Sequence, residues 1–428
     1  MSILSVGIGR RDITPALGGQ LFGYPGGTVS TGIDDALRAT AIFMADGGVS
    51  ALLVSIEVCL INTTLANRIR KAVSDATGVD EKHVILSATH THSGPNTAGM
   101  VGWGDYDVAY CENILLPRVV EASAEAARAA QPATFGVGTI RSEAGINRRE
   151  ILPNGHVRLG NNPWGLFDPT MTVLSWAGLD GKPLASCVHY GAHCTAAFRR
   201  PVVSRDWAGV MLDILERETG APAMFTQGAS GDVAPRMANG ESVGGPNEYV
   251  REAGALAGLD AVRAFRGIKS RRGAGLQVAT GELALPLQQR VPLEVAVERA
   301  ARANPGSREA DYYGRVAETY RQNLPEQTRL MVPQTLVALG DVVLVPFLFE
   351  VFSEISMRLR AYSPFAHTLC LGTSNGSLGY LPTQCQLARG GYEVDVAKTE
   401  SVWPWADDLD TRIIQENLKL MEALPCTG

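Results

Sequence analysis

The stretch Val84–Pro95 reads VILSATHTHSGP, and the interpretation of the whole chain starts from it. Its first residues, Val84–Leu86, form a short uncharged apolar run that is typical of a buried strand. The strand runs into a loop that carries His90 and His92 and ends in a Gly-Pro pair. Because side chains at i and i+2 of an extended chain point the same way, the two imidazoles could converge on one point. The loop is therefore a candidate metal site, although two hydrogen-bonded loop histidines would also fit the pattern.

The composition is that of a globular protein with a sizeable core. The chain has 428 residues, of which 45% are hydrophobic and 19% charged, and its formal net charge is -6. The negative balance argues against a nucleic-acid partner and gives no basic patch for a membrane surface. No apolar run has the length of a membrane span, so we expect no stable membrane anchor.

The amino terminus does not read as a secretion signal. It begins MSILSVGIGRRDITP, with charged residues where a signal peptide needs its apolar region. The seven cysteines are irregularly spaced and include no CxxC motif, which favours free thiols in a reducing compartment. Both features predict a cytoplasmic location.

The arrangement of elements predicts an α/β fold. An apolar run at Ala51–Cys59, a helical pattern at Thr64–Thr77 and the strand at Val84 form a β-α-β unit, which favours parallel strands. The charged segment 284–332 has helical stretches and is interpreted as a peripheral excursion. Since no repeat or long linker is visible, we expect a single domain over residues 1–428.

Further candidate metal ligands lie at the ends of other apolar runs. His189 ends the run Leu184–Val188 much as His90 ends its own strand, whereas His193, one helical turn later, could be structural. Glu350 follows the run 342–349, where a lone carboxylate needs a partner, but a carboxylate at a helix N-terminus would also fit. Spacing alone leaves the choice among the acidic residues open. Those considered are Asp206, Asp232 and Glu350.

A series of motifs then points to a known family. In chain order they are GIGRRDITP, FGY, ILSATHTHSGP, GINR, FDPTMTVL, VHYGAH, SRDWAG, GASGDVAP, VPFLFEVF, GYLPT and GGYE. In this set and order the chain resembles the catalytic domain of the neutral, non-lysosomal ceramidases, which are zinc amidohydrolases. The resemblance implies a mixed β-sheet core flanked by helices, with the metal site at the strand ends.

The resemblance also implies the roles of individual residues. The residues that it assigns to Zn²⁺ are His90, His189, Glu350 and Tyr380. It assigns Arg148 and Tyr392 to the substrate and the oxyanion, and it places His92 either beside the metal ligands or in contact with the substrate. A proton would be moved by His92 or Asp206.

Two departures from the family pattern bear on function. The family segment around GDV carries a serine that is proposed to act in catalysis, and here that position is Ala234. A metal-activated water would then attack the carbonyl. The chain also ends before an immunoglobulin-like C-terminal domain of the family would begin. A small soluble amide, ester or lactone is therefore as plausible a substrate as ceramide.

Other function classes fit the sequence less well. The HxHxDH signature of metallo-β-lactamases fails after His92, and no eightfold βα pattern of an amidohydrolase barrel is visible. Ser230 lacks the GxSxG elbow of a serine hydrolase. A ceramidase-like protein that binds without turnover remains an alternative function. Manganese or iron could take the place of zinc. The chain could also assemble into a homo-oligomer.

Overall fold

The computed structural model describes residues 3–100, 103–269 and 274–424, which fold into four layers. Two β-sheets pack face to face, and helices cover the outer face of each sheet. The core between the sheets contains Phe135 and Trp176 from the larger sheet and Leu344 from the smaller one. The layers explain why the strands of both sheets read as apolar runs, since each has both faces buried.

The larger sheet has eight strands and is mixed. In spatial order they are Ala223–Gln227, Pro183–Tyr190, Thr170–Gly178, Gln131–Arg141, Ser5–Asp12, Arg38–Asp46, Val49–Ile56 and Val84–Ala88. The pair at each edge is parallel and the inner pairs are antiparallel. The sheet curls until its two edges approach each other. The Ser55 hydroxyl near one edge donates to the Phe225 carbonyl on the opposite edge strand at 2.6 Å.

The smaller sheet has four strands, and its last pair is parallel. In spatial order they are Leu276–Pro286, Arg329–Leu339, Val342–Pro346 and His367–Leu371. Short two- and three-residue strands support the loops at the sheet ends. They are Gln20–Phe22, Thr28–Val29, Gly32–Ile33, Gly94–Pro95, Gly145–Asn147, Arg149–Ile151, Val157–Leu159, Val202–Val203, Val233–Pro235, Glu350–Val351 and Tyr380–Leu381.

The helices follow the sequence signals for helix start and stop. Thr63–Thr77 begins after Asn62, whose side chain caps the Leu65 amide, and ends at Gly78 with a φ of 74°. The helices are Thr63–Thr77, Val108–Tyr110 continuing through the π turn Cys111–Leu115 into Leu116–Arg128, Asp206–Thr219, Asn247–Arg266, Leu293–Arg302, Arg308–Arg321, Ser353–Tyr362, Gln384–Leu387, Tyr392–Glu400 and Leu409–Met421, with a 3₁₀ turn at Glu81–His83.

The predicted fold class and the β-α-β unit are confirmed. The strands Val49–Ile56 and Val84–Ala88 are parallel neighbours, joined through the helix between them. The helical excursion is shorter than the predicted 284–332, because both ends of that segment belong to strands of the smaller sheet. The apolar run 342–349 begins with the strand Val342–Pro346, which forms a hairpin with Arg329–Leu339 through a turn at Gly340. The single-domain organisation stays a prediction.

The cysteine pattern also agrees with the expectation from the sequence. The six cysteines within the described residues are all free thiols, and Cys426 lies outside those residues. Among the helices of the described ranges, none combines the length and apolar character that a bilayer crossing needs.

A close helix–strand contact gives a test of this packing. A Cβ added at Gly9 would lie 2.0 Å from the carbonyl oxygen of Ala122, so Gly9→Ala should lower the free energy of unfolding by about 1–3 kcal/mol. Gly314→Ala is the matched control, because that helical glycine has open space around its Cα and alanine should stabilise it by about 0.5–1 kcal/mol. Urea unfolding of both variants measures the difference, and equal stabilities would contradict the packing.

Candidate metal centre

The candidate site lies where three parallel strand pairs end. The pairs are Val49–Ile56 with Val84–Ala88, Pro183–Tyr190 with Ala223–Gln227, and Val342–Pro346 with His367–Leu371. The loops after these strands carry His90, His193, Glu350 and Tyr380. Carboxyl ends of parallel strands are a common place for ligand sites in α/β proteins, because the loops there converge on one crevice.

Backbone bonds between two loops set the positions of the histidines. Thr91 forms a bridge with Cys194, and the His92 amide donates to the Cys194 carbonyl at 3.2 Å. His90 itself has a φ of 67°, a left-handed conformation that costs a non-glycine residue about 1–3 kcal/mol. This strain is held in place by the surrounding pairing, and it turns the His90 ring toward His193, with ring centroids 4.5 Å apart.

Three hydrogen-bond acceptors face one another at the centre of the site. His90 Nδ1 lies 2.9 Å from the Cys59 carbonyl, and His193 Nδ1 lies 2.8 Å from the Ser230 carbonyl. Because a carbonyl only accepts, each Nδ1 carries a proton, and in the neutral ring each Nε2 then presents a lone pair. Those Nε2 atoms lie 3.3 Å and 3.1 Å from the same oxygen of Glu350, Oε2.

This arrangement fits a bound cation. Burial lowers the pKa of His193 to about 3, with the positive charge of Arg148 adding to the effect, so its imidazole is neutral at neutral pH. The nearby Cys59 and Glu350 raise the pKa of His90, and a cation bound at Nε2 would take the place of its second proton. Two neutral imidazoles and a carboxylate are a ligand set that zinc accepts. The hydrogen bonds from Nδ1 to backbone carbonyls are the support that metal-binding histidines normally have. The donor set therefore fits the implied metal.

The cavity around these groups is small and has two kinds of wall. Its volume is about 20 Å³, which is space for a single water molecule or ion. One side is polar and includes His90, His92 and Glu350. The apolar side consists of Phe22, Leu60, Met100, Trp103 and Val396.

Of the other residues assigned by resemblance, Tyr380 and Tyr392 line the same cavity, and Arg148 bonds to Tyr380. Tyr380 lies opposite Glu350 in a parallel strand pair, and its ring stacks on His193 with centroids 6.5 Å apart. Arg148 donates from Nη2 to the Tyr380 hydroxyl at 3.0 Å. The Tyr392 ring lies 5.9 Å from the Tyr380 ring, centroid to centroid. Burial raises the pKa of both phenols above their usual range.

The structure corrects the histidine in the expected ligand set. His189 lies within the strand Pro183–Tyr190, where its side chain points between the sheets and its Nε2 meets the Cys370 carbonyl at 3.0 Å. His193 occupies the position beside Glu350 instead. The physical reason is the length of the strand, which continues past His189 and leaves the turn after it to present His193.

Asp206 also has a different position from the one expected for a proton carrier. Its carboxylate accepts the backbone N–H groups of Ala196, Ala197 and Trp207, and Trp207 donates from its indole to the His193 carbonyl at 2.8 Å. Burial raises the pKa of Asp206 to about 6, while these N–H donors favour the ionised form. Asp206 therefore holds the turn that follows His193.

Sequence reasoning missed two neighbours of the histidines. Cys59 lines the cavity, with its sulfur 3.7 Å from His90 Nδ1. Gly23 has a φ of 131°, and a Cβ there would lie 2.4 Å from the His92 ring, so the FGY motif allows this ring to pack against the backbone. The FGY motif was the available sequence signal for Gly23.

Ala234, at the position of the family's serine, is fully buried in the strand Val233–Pro235, opposite Ile146.

Comparison with known proteins identifies the family. The family model described as neutral/alkaline non-lysosomal ceramidase, N-terminal, matches residues 4–250. The chain belongs to this family. Neutral ceramidase B from Dictyostelium discoideum is 29% identical over 264 residues, which cover 55% of this chain and 36% of that protein. Neutral ceramidase A from the same organism is 26% identical over the same shares. The chain thus matches about a third of the length of these ceramidase relatives.

Solved ceramidase structures share the fold. The neutral ceramidase of Pseudomonas aeruginosa superposes with a TM-score of 0.76 at 19% identity, covering 99% of this chain and 75% of that one. A ceramidase complexed with C2 gives a TM-score of 0.75 at 18% identity, covering 100% of this chain and 77% of that one. These matches confirm the mixed sheet flanked by helices, and the family model over residues 4–250 confirms the resemblance that the motifs suggested.

The corrected ligand set makes a direct prediction about metal content. His193→Ala removes one of the facing acceptors and should reduce bound zinc from about one per chain to near zero, whereas His189→Ala should retain the metal. Elemental analysis after gel filtration measures the zinc, and circular dichroism checks that both variants are folded. Loss of zinc in His189→Ala with retention in His193→Ala would restore the set implied by resemblance.

Proposed function

We propose that this chain is a zinc-dependent hydrolase that cleaves a C–N amide bond. The observation that carries the proposal is the convergence of His90 Nε2, His193 Nε2 and Glu350 Oε2, which face one another as acceptors. We assign these residues to the metal, with Tyr380 as a fourth ligand. Zinc bound there would acidify a water molecule and polarise the substrate carbonyl.

The protein's own groups would position the reactants. His92 Nε2 lies 3.3 Å from His90 Nε2, and within the described part of the chain its Nδ1 has no hydrogen-bond partner. Burial lowers the pKa of His92 well below its usual value, so the ring is neutral and can accept a hydrogen bond from water. We therefore assign His92 to orienting the water and receiving its proton.

Arg148 and Tyr392 are suited to stabilise the oxyanion. The Arg148 guanidinium is buried and directed at the cavity through its bond to Tyr380, and Tyr392 keeps its phenolic proton because burial raises its pKa. Donors that are already oriented toward a developing negative charge each contribute about 3–4 kcal/mol to lowering the barrier. Both groups would act as negative charge develops on the carbonyl oxygen during attack.

The substrate we infer is an amide with an apolar acyl group. The apolar side of the cavity supports this choice, as do relatives whose names designate ceramidases. Ala234 leaves no hydroxyl at the position of the family's proposed catalytic serine, so water is the nucleophile. Ceramide, a smaller soluble amide, an ester and a lactone are all candidates. A cytoplasmic location stays a prediction from the sequence.

Ala234 also favours a second candidate, a protein that binds zinc and an amide without turnover. Both candidates keep the metal ligands, so they differ only in whether the bound amide is cleaved.

The test is release of amine from a panel of amides, run together with zinc analysis. We expect turnover of at least one acyl amide by the zinc-loaded protein and loss of both zinc and turnover in His90→Ala. Exposed His156→Ala is the control and should keep both. Zinc without turnover on ceramide, short amides, esters and lactones would favour the binding protein, and a protein without zinc would contradict the site.

The oxyanion assignment predicts a separate kinetic effect. Tyr392→Phe removes one hydroxyl donor and should lower kcat by about 10²–10³-fold with little change in KM or zinc content, because the donor acts in the transition state. Tyr362→Phe, at a tyrosine that is 72% exposed, should leave all three unchanged. A change confined to KM would instead place Tyr392 in substrate binding.

A further inference from the structure

The two groups assigned to the oxyanion come from distant parts of the chain. Arg148 lies between the short strands Gly145–Asn147 and Arg149–Ile151, while Tyr392 begins the helix Tyr392–Glu400. For both to act on one oxygen atom, something must fix these segments relative to each other. The contacts of Glu393, the residue after Tyr392, supply such a link.

Glu393 is bonded to two arginines at once. Its Oε1 accepts from Arg148 Nε at 2.9 Å, and its Oε2 accepts from Arg149 Nη1 at 2.6 Å. The side chains are almost completely buried, with 6% of Arg148, 3% of Arg149 and 1% of Glu393 exposed. A carboxylate that bridges two buried guanidinium groups holds both in fixed orientations, because each bond is charge-assisted and directional.

The second arginine secures the turn that leads to Tyr392. Arg149 donates from Nη2 to the Gly390 carbonyl at 2.6 Å and from Nε to Gln386 at 3.2 Å. Gly390 and Gly391 have φ values of 66° and 94°, conformations that favour glycine. Two consecutive glycines leave the backbone of this turn with many accessible conformations, and the Arg149 contacts hold it in one of them.

The charges of this cluster also match its position. Two guanidinium groups and one carboxylate leave an excess of one positive charge. Arg148 uses Nε for Glu393 and directs Nη2 at the Tyr380 hydroxyl, so part of that charge faces the cavity. Without the carboxylate, the Arg148 side chain would lose the contact that fixes the direction of its outer nitrogens.

We propose that Glu393 is the positioning residue of the reaction, orienting Arg148 directly and Tyr392 through the start of its helix. Among the described residues, the Glu393 carboxylate bonds to Arg148 and Arg149 and to neither the candidate metal ligands nor the Tyr392 hydroxyl. The inference rests on the proposed hydrolase function, and it adds a residue that the catalytic assignment does not contain.

The test compares Glu393→Gln with Asp395→Asn, an exposed position on the same helix. Glutamine keeps the size of the side chain but brings an amide N–H₂ against a guanidinium group. We expect kcat for the best amide to fall about 10–100-fold, the usual effect of removing a supporting partner, with KM and zinc content near wild type. Asp395→Asn should match wild type.

A second measurement separates this inference from the proposed function. Hydrogen exchange should show faster exchange across residues 390–400 in Glu393→Gln than in wild type or Asp395→Asn, whether or not turnover is detected. If the wild-type protein shows no turnover but Glu393→Gln still shows this faster exchange, the proposed hydrolase function is wrong and the positioning contact stands. Unchanged exchange and kcat in Glu393→Gln would overturn the inference, and loss of zinc would show a structural role instead.

Discussion

The mutual approach of three acceptors is the constraint on which the site depends. His90 Nε2, His193 Nε2 and Glu350 Oε2 lie within 4.8 Å of one another, and the protons of both imidazoles are directed away from that centre to backbone carbonyls. Lone pairs and a carboxylate repel one another in a buried cavity unless a cation or a proton lies between them, and Glu350 accordingly raises the pKa of His90. The folded chain therefore maintains an arrangement whose electrostatics favour a bound metal.

The sheets provide the rigidity that this arrangement requires. Each of the acceptors follows a parallel strand pair, and the larger sheet curls until loops from both edges meet. The contacts between Thr91 and Cys194, and from Trp207 to the His193 carbonyl, then fix the approach. The left-handed backbone of His90 is tolerated because these contacts determine its position from several sides.

The polar residues around the cavity are also held in place by one another. Arg148 meets Tyr380, Glu393 holds Arg148 and Arg149, and Arg149 secures the glycine turn before Tyr392. Each of these charged side chains is buried, so each needs its partner to offset the cost of leaving water. This chain of pairings explains how residues more than 200 positions apart in the sequence reach one small cavity.

The sequence by itself determined the α/β class and the parallel β-α-β unit, because apolar periodicity is a local signal. Its motifs also carried the family resemblance, and that resemblance implied most of the candidate site. The family resemblance implied His90, Glu350, Arg148, Tyr380 and Tyr392; all but Arg148 line the cavity, and Arg148 bonds to Tyr380. Only the tertiary structure decided between His189 and His193, since the choice depends on where a strand ends and which way its last side chains point. It also decided the position of Asp206 and the contacts of Glu393, because hydrogen bonds between distant segments leave no periodic trace in a sequence.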